Sequence, residues 1–484
     1  MSPEAASDPR RWKALLFLCL IQFMLILDVT VVNVALPHIQ HSLKASSSDL
    51  AWVVDAYVLA AGGLLLLGGR LCDLLGRRAM FLAGVAIFGL ASATCGFAVN
   101  SDMLIVSRFV QGAGEALAAP ASLGLIAVMF HDPQERIKAL GAFGGVAGLG
   151  GTTGTVISGF IVQWADWRWV FFINIPVAVI ALVMVPRLVS ESKAAQAHRP
   201  DYLGAVTGTI GLIGIVFGLL SASSHSWGST RVLLPLLGGI VLLGLMVLIE
   251  ARSSDPLIPL EFFRNRTRVV TNVVTLFFSS AFFSYFFLLT LVEQEHLGWS
   301  PIKGGLSYLP FGLSIGAAIG IGTALMPRLG VKRLLAAGFF LDAVGLALTS
   351  SISSDTNYWT QIFPGMLLLG IGSGLSFPAI GNASLHEVTV EDSSLASGVQ
   401  QAFQQVGGAI GLATLATLAV RYSTDHIGAH GPDFIGGTVL SFRIGVVLLA
   451  IGGVAVLFFM EHVLAVPRNP LAEVATVEAE AEPA

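Results

Sequence analysis

The chain has 484 residues, of which 55% are hydrophobic and only 12% are charged, and its mean hydropathy is +0.80. Soluble domains carry about a quarter charged residues, so this composition excludes an ordinary soluble fold and favours a chain embedded in a bilayer. The formal net charge of -4, without any long basic stretch, gives no indication of a nucleic-acid partner. The scattered cysteines Cys19, Cys72 and Cys95 predict neither a disulfide framework nor a metal site.

Fourteen apolar stretches are long enough to cross a bilayer, since a span needs about 20 residues and its backbone must satisfy its own hydrogen bonds as a helix. The first stretch follows three basic residues, as in a signal peptide, but it runs on to Leu36 without a cleavage pattern, so we interpret it as a retained span. In chain order the predicted spans cover 13–36, 50–69, 79–99, 103–130, 137–161, 168–188, 203–222, 232–250, 269–292, 304–326, 333–351, 359–381, 395–420 and 438–463.

The distribution of Lys and Arg predicts the orientation of these spans, because cytoplasmic loops carry an excess of both. With the N-terminus inside, 19 of the 26 Lys and Arg fall on the cytoplasmic side and Arg108 falls within a span. The bias favours an even number of spans with both termini in the cytoplasm. The remaining six, assigned to outer loops, are Lys44, Arg168, Arg231, Lys303, Arg421 and Arg443.

Two patterns recur about 256 residues apart and predict an internal duplication. Gly112-Ala113-Gly114 with Pro120 recurs as Gly370-Ile371-Gly372 with Pro378, and the basic run ending at Arg78 has a partner ending at Arg333. Paired halves with a midplane site are typical of secondary transporters, although Gly-rich apolar helices can also match by chance. The predicted units are a cytoplasmic tail 1–12, a six-helix bundle 13–188, a linker 189–202, an inserted helix pair 203–250, a linker 251–268, a six-helix bundle 269–463 and a disordered tail 464–484.

Ionisable residues inside spans are the strongest functional signals, because each needs a partner or a wet cavity. Arg108, Gln111 and Glu115 have the spacing i, i+3, i+7 and share one face of the fourth span. Arg108 keeps its charge at any relevant pH and therefore needs an acid, for which Asp28 in the first span is the natural candidate. An acid that alternates between pairing and desolvation can load and release a proton, whereas a fixed ion pair would only set helix register.

Other polar and aromatic residues leave alternatives open. Asp55 in the second span is either a coupling acid or a solvated group in an outer vestibule. Asp342 fits no pattern. In the second half, Met366 stands at the position of Arg108 and Ser373 at that of Glu115, so the ionisable machinery is expected to be concentrated in the first half. Phenylalanines of the ninth span form either an apolar wall for a lipophilic substrate or, as the favoured interpretation, a lipid-facing surface: Phe277, Phe278, Phe282, Phe283, Phe286 and Phe287.

Four motifs in order resemble the fourteen-helix drug:proton antiporter branch of the major facilitator superfamily, over nearly the whole chain. They are Leu27-Asp28-Val29-Thr30-Val31-Val32-Asn33-Val34-Ala35-Leu36-Pro37, Gly69-x-Leu71-x-Asp73-x-x-Gly76-Arg77-Arg78, Arg108-x-x-Gln111-Gly112-x-Gly114, and Trp167-Arg168-Trp169-Val170-Phe171-Phe172-Ile173-Asn174-Ile175-Pro176. The resemblance implies an all-α integral membrane protein with the major facilitator fold: two six-helix bundles plus two inserted helices.

The resemblance also implies roles for individual residues. Coupling or substrate contact is expected of Asp28, Asn33, Asp55, Arg108, Gln111 and Glu115, and gating of Gly69, Asp73, Gly76, Arg77 and Arg78. By the duplication, Asp73 would cap the thirteenth span near Ser394, and Arg77 and Arg78 would pair with the acidic loop that contains Glu387. The antiporter motif of the fifth span matches only in part: Thr155 stands where the family has Pro, and the retained glycines are Gly141, Gly150, Gly154 and Gly159.

The function implied is a proton-coupled antiporter, not an enzyme, that exports small lipophilic drugs, antibiotics or biocides across a bacterial cytoplasmic membrane. The expected partners are protons, the bilayer and a lipophilic, cationic substrate, and the carrier is expected to act as a monomer. No nucleotide-binding motif is visible, so a proton gradient is the expected energy source and no cofactor is predicted. Alternatives are export of a lipid or metabolite, a nutrient:proton symporter, and a non-transporting sensor or scaffold.

Overall fold

Helices occupy almost the whole of the described chain in this computed structural model, which covers residues 10–130, 133–192, 202–222, 225–253, 256, 260–388, 393–428 and 431–461. The helices are α1 (Arg10–Leu43), α2 (Ser47–Leu75), α3 (Arg77–Gly96), α4 (Ser101–Met129), α5 (Pro133–Trp164), α6 (Trp169–Phe172), α7 (Asn174–Leu188), α8 (Tyr202–Ser221), α9 (Thr230–Glu250), α10 (Arg266–Leu291), α11 (Pro301–Ser307), α12 (Leu309–Leu329), α13 (Val331–Thr349), α14 (Phe363–Ser384), α15 (Ser393–Asp425) and α16 (Phe434–Phe459).

Shorter elements interrupt or join these helices. A 3₁₀ helix covers Leu260–Arg264, and π-helical turns cover Val292–His296 and Tyr358–Ile362. A two-residue antiparallel pair, Ile427–Gly428 with Gly431–Pro432, joins α15 to α16. The sixth predicted span is a short helix followed by α7, and the tenth is α11 followed by α12, so these spans are broken rather than continuous.

Every predicted span coincides with helix, and eleven helical segments of the described residues are long and apolar enough to cross a membrane. The prediction of an all-α membrane protein is therefore confirmed, whereas fourteen crossings, both termini inside and the unit boundaries stay predictions. Arg443, assigned above to an outer loop, instead lies within α16 with an exposed side chain. The predicted span 438–463 already contained Arg443, so the count of loop residues misplaced it; a long basic side chain can extend from a helix towards the membrane surface.

Large apolar side chains face outwards as well as inwards. Leu234 is 76% exposed, Leu90 72% and Leu313 71%. A soluble protein rarely exposes contiguous apolar surface of this kind, whereas lipid accepts it. Polar groups within the spans, in contrast, are mostly buried in the interior.

The two halves pack alike, as the duplicated motif predicts. Gly112 of α4 lies against the backbone of α2 at Tyr57, and Gly370 of α14 lies in the same way against α12 at Phe311. Two residues further on, Gly114 faces α3 and Gly372 faces α13. Each motif helix is thus wedged between two neighbours at positions where a larger side chain would meet backbone.

The turn before α3 also has its counterpart before α13. Gly76 has φ +117° and Gly330 has φ +78°, a backbone region that L side chains rarely adopt. Each glycine closes one helix and starts the next without an intervening loop. The basic residues that follow each glycine are therefore held at the end of a rigid helix.

The helices α8 and α9, predicted as an inserted pair, pack on each other, and α8 bridges the halves. Thr209 of α8 donates to the Gly63 carbonyl of α2 at 3.2 Å, and Thr417 of α15 donates to the Leu219 carbonyl of α8 at 2.9 Å. Arg421 of α15 also donates to the backbone carbonyls of Ala222 and His225 beyond α8. The helix α8 therefore covers the seam between α2 and α15 on one side.

Candidate functional site

The central feature of the first half is a buried ion pair between α1 and α4. The guanidinium of Arg108 donates to Asp28 Oδ2, and the two residues are 1% and 0% exposed. The acid expected from the sequence is therefore the partner of Arg108. Its role in proton coupling stays a prediction, because a fixed ion pair would have the same geometry.

Amide and hydroxyl groups complete a network around Asp28. Gln111 donates to Asp28 Oδ1 at 2.8 Å and accepts from Arg108 at 2.7 Å. Asn174, the first residue of α7, donates to the same oxygen of Asp28 at 2.7 Å, and Ser92 of α3 accepts from Gln111 at 2.7 Å. Both carboxylate oxygens of Asp28 therefore accept hydrogen bonds in this conformation.

Asn174 and Ser92 were absent from the expected site. Asn174 lies in the segment that resembles the family's entry to its sixth helix, and it interrupts an apolar run, which was the available signal. Ser92 had no signal, because a serine in a span usually bonds to its own helix. Their convergence depends on the rotation of α3 and α7 about their axes.

Tyr57 connects the ion pair with the next acid on α4. Its ring lies 4.2 Å from the guanidinium carbon of Arg108, and Phe171 approaches the same group at 5.8 Å. Arg108 Nε also donates to the Val53 carbonyl at 3.0 Å. Glu115 is the other ionisable neighbour of Tyr57, and its Oε2 is buried without a hydrogen-bond partner among the described residues.

Asp55 is fully buried, and neither of its oxygens has a hydrogen-bond partner among the described residues. The alternative of a solvated vestibule group is therefore wrong for this conformation. Asn33 is half-buried and donates to the Val29 carbonyl of its own helix at 3.5 Å, away from the network. The structure thus brings together Asp28, Arg108 and Gln111, with Glu115 beside them, and leaves Asn33 apart.

The turn between α2 and α3 binds a partner that the sequence did not indicate. Glu191, just after α7, accepts from the backbone amides of Arg78 and Ala79 at 3.0 and 2.9 Å, and its carboxylate lies 3.8 Å from Arg78 Nε. In this conformation Arg78 thus binds Glu191, and its expected pairing with the acidic loop before α15 stays a prediction. A carboxylate at the N-terminus of α3 satisfies free amides there, a contact that the sequence separation of over 110 residues concealed.

The other gating residues are described only in part. Arg77 donates its backbone amide to the Ser192 carbonyl at 2.9 Å, and its side chain packs against Gly124 of α4. Gly69 lies in α2 opposite Pro120. Asp73 lies in α2, but its side chain is outside the described residues, so its expected capping of α15 stays a prediction. Residues 389–392 of the acidic loop are also outside them.

The retained glycines of α5 form a seam on two partners. Gly150 faces Ile26 and Gly154 faces Thr30, both on α1, whereas Gly159 faces Pro301 at the start of α11 in the other half. Next to this seam, Ser158 donates to the Val31 carbonyl of α1 at 2.6 Å. Gly141 lies near the start of α5, and the side chain of Thr155 is outside the described residues.

A buried acid that the sequence analysis did not consider lies where α10 ends. Glu293 is 0% exposed, and the Ser307 hydroxyl lies 2.9 and 3.1 Å from its two oxygens. It belongs to the π-helical turn after α10, a distortion often found at functional positions. The next residue, Gln294, donates to the Val34 carbonyl of α1 at 3.0 Å and so joins the two halves.

A metal site in the described part of the chain would require a cluster of metal-binding side chains. No group of three or more His, Cys, Asp or Glu side chains there could hold a metal ion. Cys19, Cys72 and Cys95 are buried and take part in no disulfide within the described residues.

The structure combines two similarly packed helical halves, an apolar outer surface and a buried acid–arginine pair. Together these features define a multi-pass transporter of the secondary type. Comparison with known proteins gives the family. The family model described as Major Facilitator Superfamily matches residues 18–412. The chain belongs to the major facilitator superfamily, a family of transporters rather than enzymes, whose members generally use ion gradients.

Similar proteins of known name agree with this family. The chain is 38% identical to a lincomycin resistance protein of Streptomyces lincolnensis, over 96% of this chain and 95% of that one. It is 33% identical to a cephamycin export protein of Amycolatopsis lactamdurans, over 90% and 91%. A bacterial homologue of the lysosomal transporter Spinster shares the fold with a TM-score of 0.66 and 16% identity, over 94% and 98%. The chain is thus a multi-pass protein of a bacterial cytoplasmic membrane that carries a small-molecule substrate.

Proposed function

We propose that this protein is a proton-coupled antiporter that exports lipophilic drugs or antibiotics by alternating access. A lincomycin resistance protein and a cephamycin export protein, both similar along nearly their whole length, support the substrate class. The observation that carries the coupling is the buried Asp28–Arg108 pair with Glu115 beside it, whose Oε2 has no hydrogen-bond partner among the described residues. We further propose that the carrier works as a monomer without a cofactor.

Asp28 can act as a switch because its partner is permanently charged. Arg108 must keep an anion or several acceptors nearby, since a buried guanidinium without them costs several kcal/mol. When Asp28 is protonated it stops being that anion, and Arg108 must turn to other acceptors or to water. A proton arriving at Asp28 therefore changes the preferred packing of α1 against α4.

Glu115 and Asp55 are suited to be the alternating sites. Neither forms an ion pair within the described part of the chain, and burial of a carboxylate without an ion-pair partner is costly in its charged form. Opening of the half-bundle to water would let either acid ionise. A cationic group on the substrate could then take the place of the proton, which favours cationic lipophilic compounds.

The gating elements fit such a cycle. The glycine seam of α5 contacts α1 within one half and α11 across the halves, so small shifts of α5 alter both contacts. The turn between α2 and α3 is held by Glu191, which follows α7. Release of that carboxylate would free Arg78 for the other half.

Proton flux in sealed proteoliposomes carrying a pH gradient tests the proposal. Lipophilic cations and antibiotics, lincomycin among them, would be added to the parent protein and to Asp28→Asn and Glu115→Gln. We expect at least one compound to discharge the gradient with the parent protein and Asp28→Asn to abolish the response. Asp102→Asn, an exposed acid at the start of the same helix α4, is the matched control and should retain the response.

The outcomes separate the alternatives. Normal flux in Asp28→Asn would remove Asp28 as the coupling site. Proton movement in the same direction as the substrate would identify a symporter. If no compound in the panel moves protons, the antiport proposal is wrong for this class of substrate.

A further inference from the structure

The phenylalanines of α10 do not form the lipid-facing surface that the sequence favoured. Phe278 and Phe287 are each 2% exposed, and Phe278 packs its ring against Phe339 and Phe377. The lipid-facing interpretation is therefore wrong for Phe278 and Phe287. Ile321 of α12, in contrast, is 56% exposed and borders a groove on the outer surface of the second half.

This groove lies between α12 and α13, with α14 as its floor. Its volume is about 420 Å³, and apart from one serine hydroxyl its lining is aliphatic. The helix α12 contributes one wall from Ser314 to Leu329, α13 contributes Leu334 and Ala337, and α14 contributes Ile371 and Leu375. An apolar groove of this kind has room for a flexible hydrocarbon chain.

The length of the groove also suits such a chain. The fifteen steps from Ser314 to Leu329 extend about 22 Å along α12 at 1.5 Å a residue. One leaflet supplies about half of the ~30 Å hydrocarbon core of a bilayer. An extended acyl chain can therefore lie in the groove over the full depth of its leaflet, and it gains close van der Waals contact with three helices.

Two arginines stand at one end of the groove, on the faces that line it. Arg328 follows the lining residues Ile321 and Leu325 by seven and three positions, so it shares their face of α12. Arg333 precedes the lining residue Ala337 by four positions and shares its face of α13. Both arginines are exposed, and neither forms a hydrogen bond or an ion pair within the described chain. The apolar groove thus ends at two positive charges.

The equivalent turn of the first half already has an anion. There the carboxylate of Glu191 binds the backbone amide of Arg78 and lies 3.8 Å from its side chain. No carboxylate of the described residues binds the basic run 328–333, in which Lys332 donates to the Met460 carbonyl at 2.7 Å. An anion from outside the chain can therefore take, in the second half, the place that Glu191 takes in the first.

We propose that this groove binds one anionic phospholipid, with an acyl chain between α12 and α13 and the phosphate at Arg328 and Arg333. Guanidinium groups bind phosphate oxygens through pairs of N–H donors. The charge bias of the loops predicts that this end of α12 faces the cytoplasm, where basic pockets between membrane helices attract anionic head groups. The site is additional to the export function and does not depend on it.

The arrangement of charge and apolar surface distinguishes this ligand from related ones. Phosphatidylcholine could place a chain in the groove, but its choline group would bring a positive charge towards the arginines. Glycerol phosphate carries the anion but has no chain to fill the groove. Tight binding therefore requires both a net negative head group and an acyl chain.

Native mass spectrometry of the delipidated full-length protein, titrated with dioleoyl phosphatidylglycerol, tests the site. We expect the parent to bind one molecule about tenfold more tightly than it binds dioleoyl phosphatidylcholine. Arg328→Gln with Arg333→Gln should abolish this preference, because the head group loses its partners. Arg252→Gln with Arg266→Gln removes the same charge at two exposed positions away from the groove and should keep the preference.

A second pair of variants tests the groove without changing any charge. Ala337→Phe places a ring between α12 and α13 and should weaken phosphatidylglycerol binding severalfold. Ala347→Phe makes the same change at an exposed position of α13 that does not line the groove, and it should bind as the parent does. Size-exclusion profiles establish folding, and the alanine pair decides if the double-arginine variant does not fold.

Each contrary outcome is distinct. Equal affinity of the parent for the two lipids, or an unchanged preference in the folded double-arginine variant, would overturn the proposal. Displacement of the lipid by an equal concentration of glycerol phosphate would show an anion site without the groove. Dimers of the parent that are lost in Ala337→Phe would show that a second copy of the chain covers the groove instead. None of these results bears on the proton-flux test of antiport.

Discussion

At the scale of single residues, the buried pair of Arg108 and Asp28 is the most consequential contact. Arg108 makes a charged contact with Asp28, further bonds with Gln111 and the Val53 carbonyl, and a ring contact with Tyr57. Such a pair costs desolvation free energy when it forms, but removal of one member alone leaves a buried uncompensated charge. Helix register in the first half therefore depends on both members being present.

Single and double substitutions measure this dependence. Arg108→Gln alone is expected to lower the free energy of unfolding by about 3–5 kcal/mol, because Asp28 is left unpaired in the bundle. Arg108→Gln combined with Asp28→Asn should recover much of this loss, since neither position then carries a charge. Thermal unfolding midpoints in detergent check the comparison, and Asp102→Asn serves as control. A double variant less stable than Arg108→Gln would contradict the uncompensated-charge explanation.

At the scale of helices, close backbone contacts hold the bundle together. Gly68 of α2 faces the Ala116 carbonyl of α4 so closely that a side chain there would collide with backbone. Gly316 of α12, in contrast, is exposed with no atom near the position of an added methyl group. In lipid, helix association rests on such packing rather than on exclusion of water. A methyl group added at Gly68 should therefore disturb the packing of two helices, whereas one added at Gly316 should not.

Alanine at each glycine tests the difference. Gly68→Ala is expected to lower the free energy of unfolding by about 1–3 kcal/mol, as overpacking against rigid backbone does. Gly316→Ala should leave it unchanged or raise it by up to about 1 kcal/mol, since alanine favours helix. Unfolding midpoints of both variants in the same detergent give the comparison, and equal midpoints would contradict the close contact of α2 with α4.

At the scale of the whole molecule, the halves meet on the side where α1 ends and α2 begins, which the charge bias predicts to face outwards. His41 Nε2 lies 3.1 Å from Glu295 Oε1, and Gln294 binds the Val34 carbonyl across the same seam. Gly159 faces Pro301 nearby. These contacts close that side in this conformation, so alternating access requires that they separate.

A cross-link across this seam tests the requirement. His41→Cys with Glu295→Cys, joined by a short thiol-reactive cross-linker that reduction cleaves, should stop transport, with recovery on reduction, because the seam could no longer open. Each single variant is the control and should transport with or without the cross-linker; the native cysteines are buried and should not react. Undiminished transport by the fully cross-linked protein would show that this seam does not separate in the cycle.

Much of the fold and part of the site could be predicted from the sequence. Hydropathy is a local property of the chain, so it located the helices, and the expense of charge in lipid pointed to Asp28 as the partner of Arg108. Residue spacing also put Gln111 on the face of Arg108, where it bonds to both members of the pair. These inferences succeeded because each depended on one helix or on a requirement that only one nearby group could meet.

The tertiary structure alone decided which distant groups meet. Nothing in the local pattern indicated that Glu191 would hold Arg78, that Asn174 would reach Asp28, or that α12 and α13 would leave a groove between them. Those contacts depend on how each helix is rotated and tilted against its neighbours, which packing of many side chains determines together. The sequence by itself determined a membrane-embedded carrier with an arginine that needs an acid; the packing decided which groups surround that pair and where the second half leaves a groove on its outer surface.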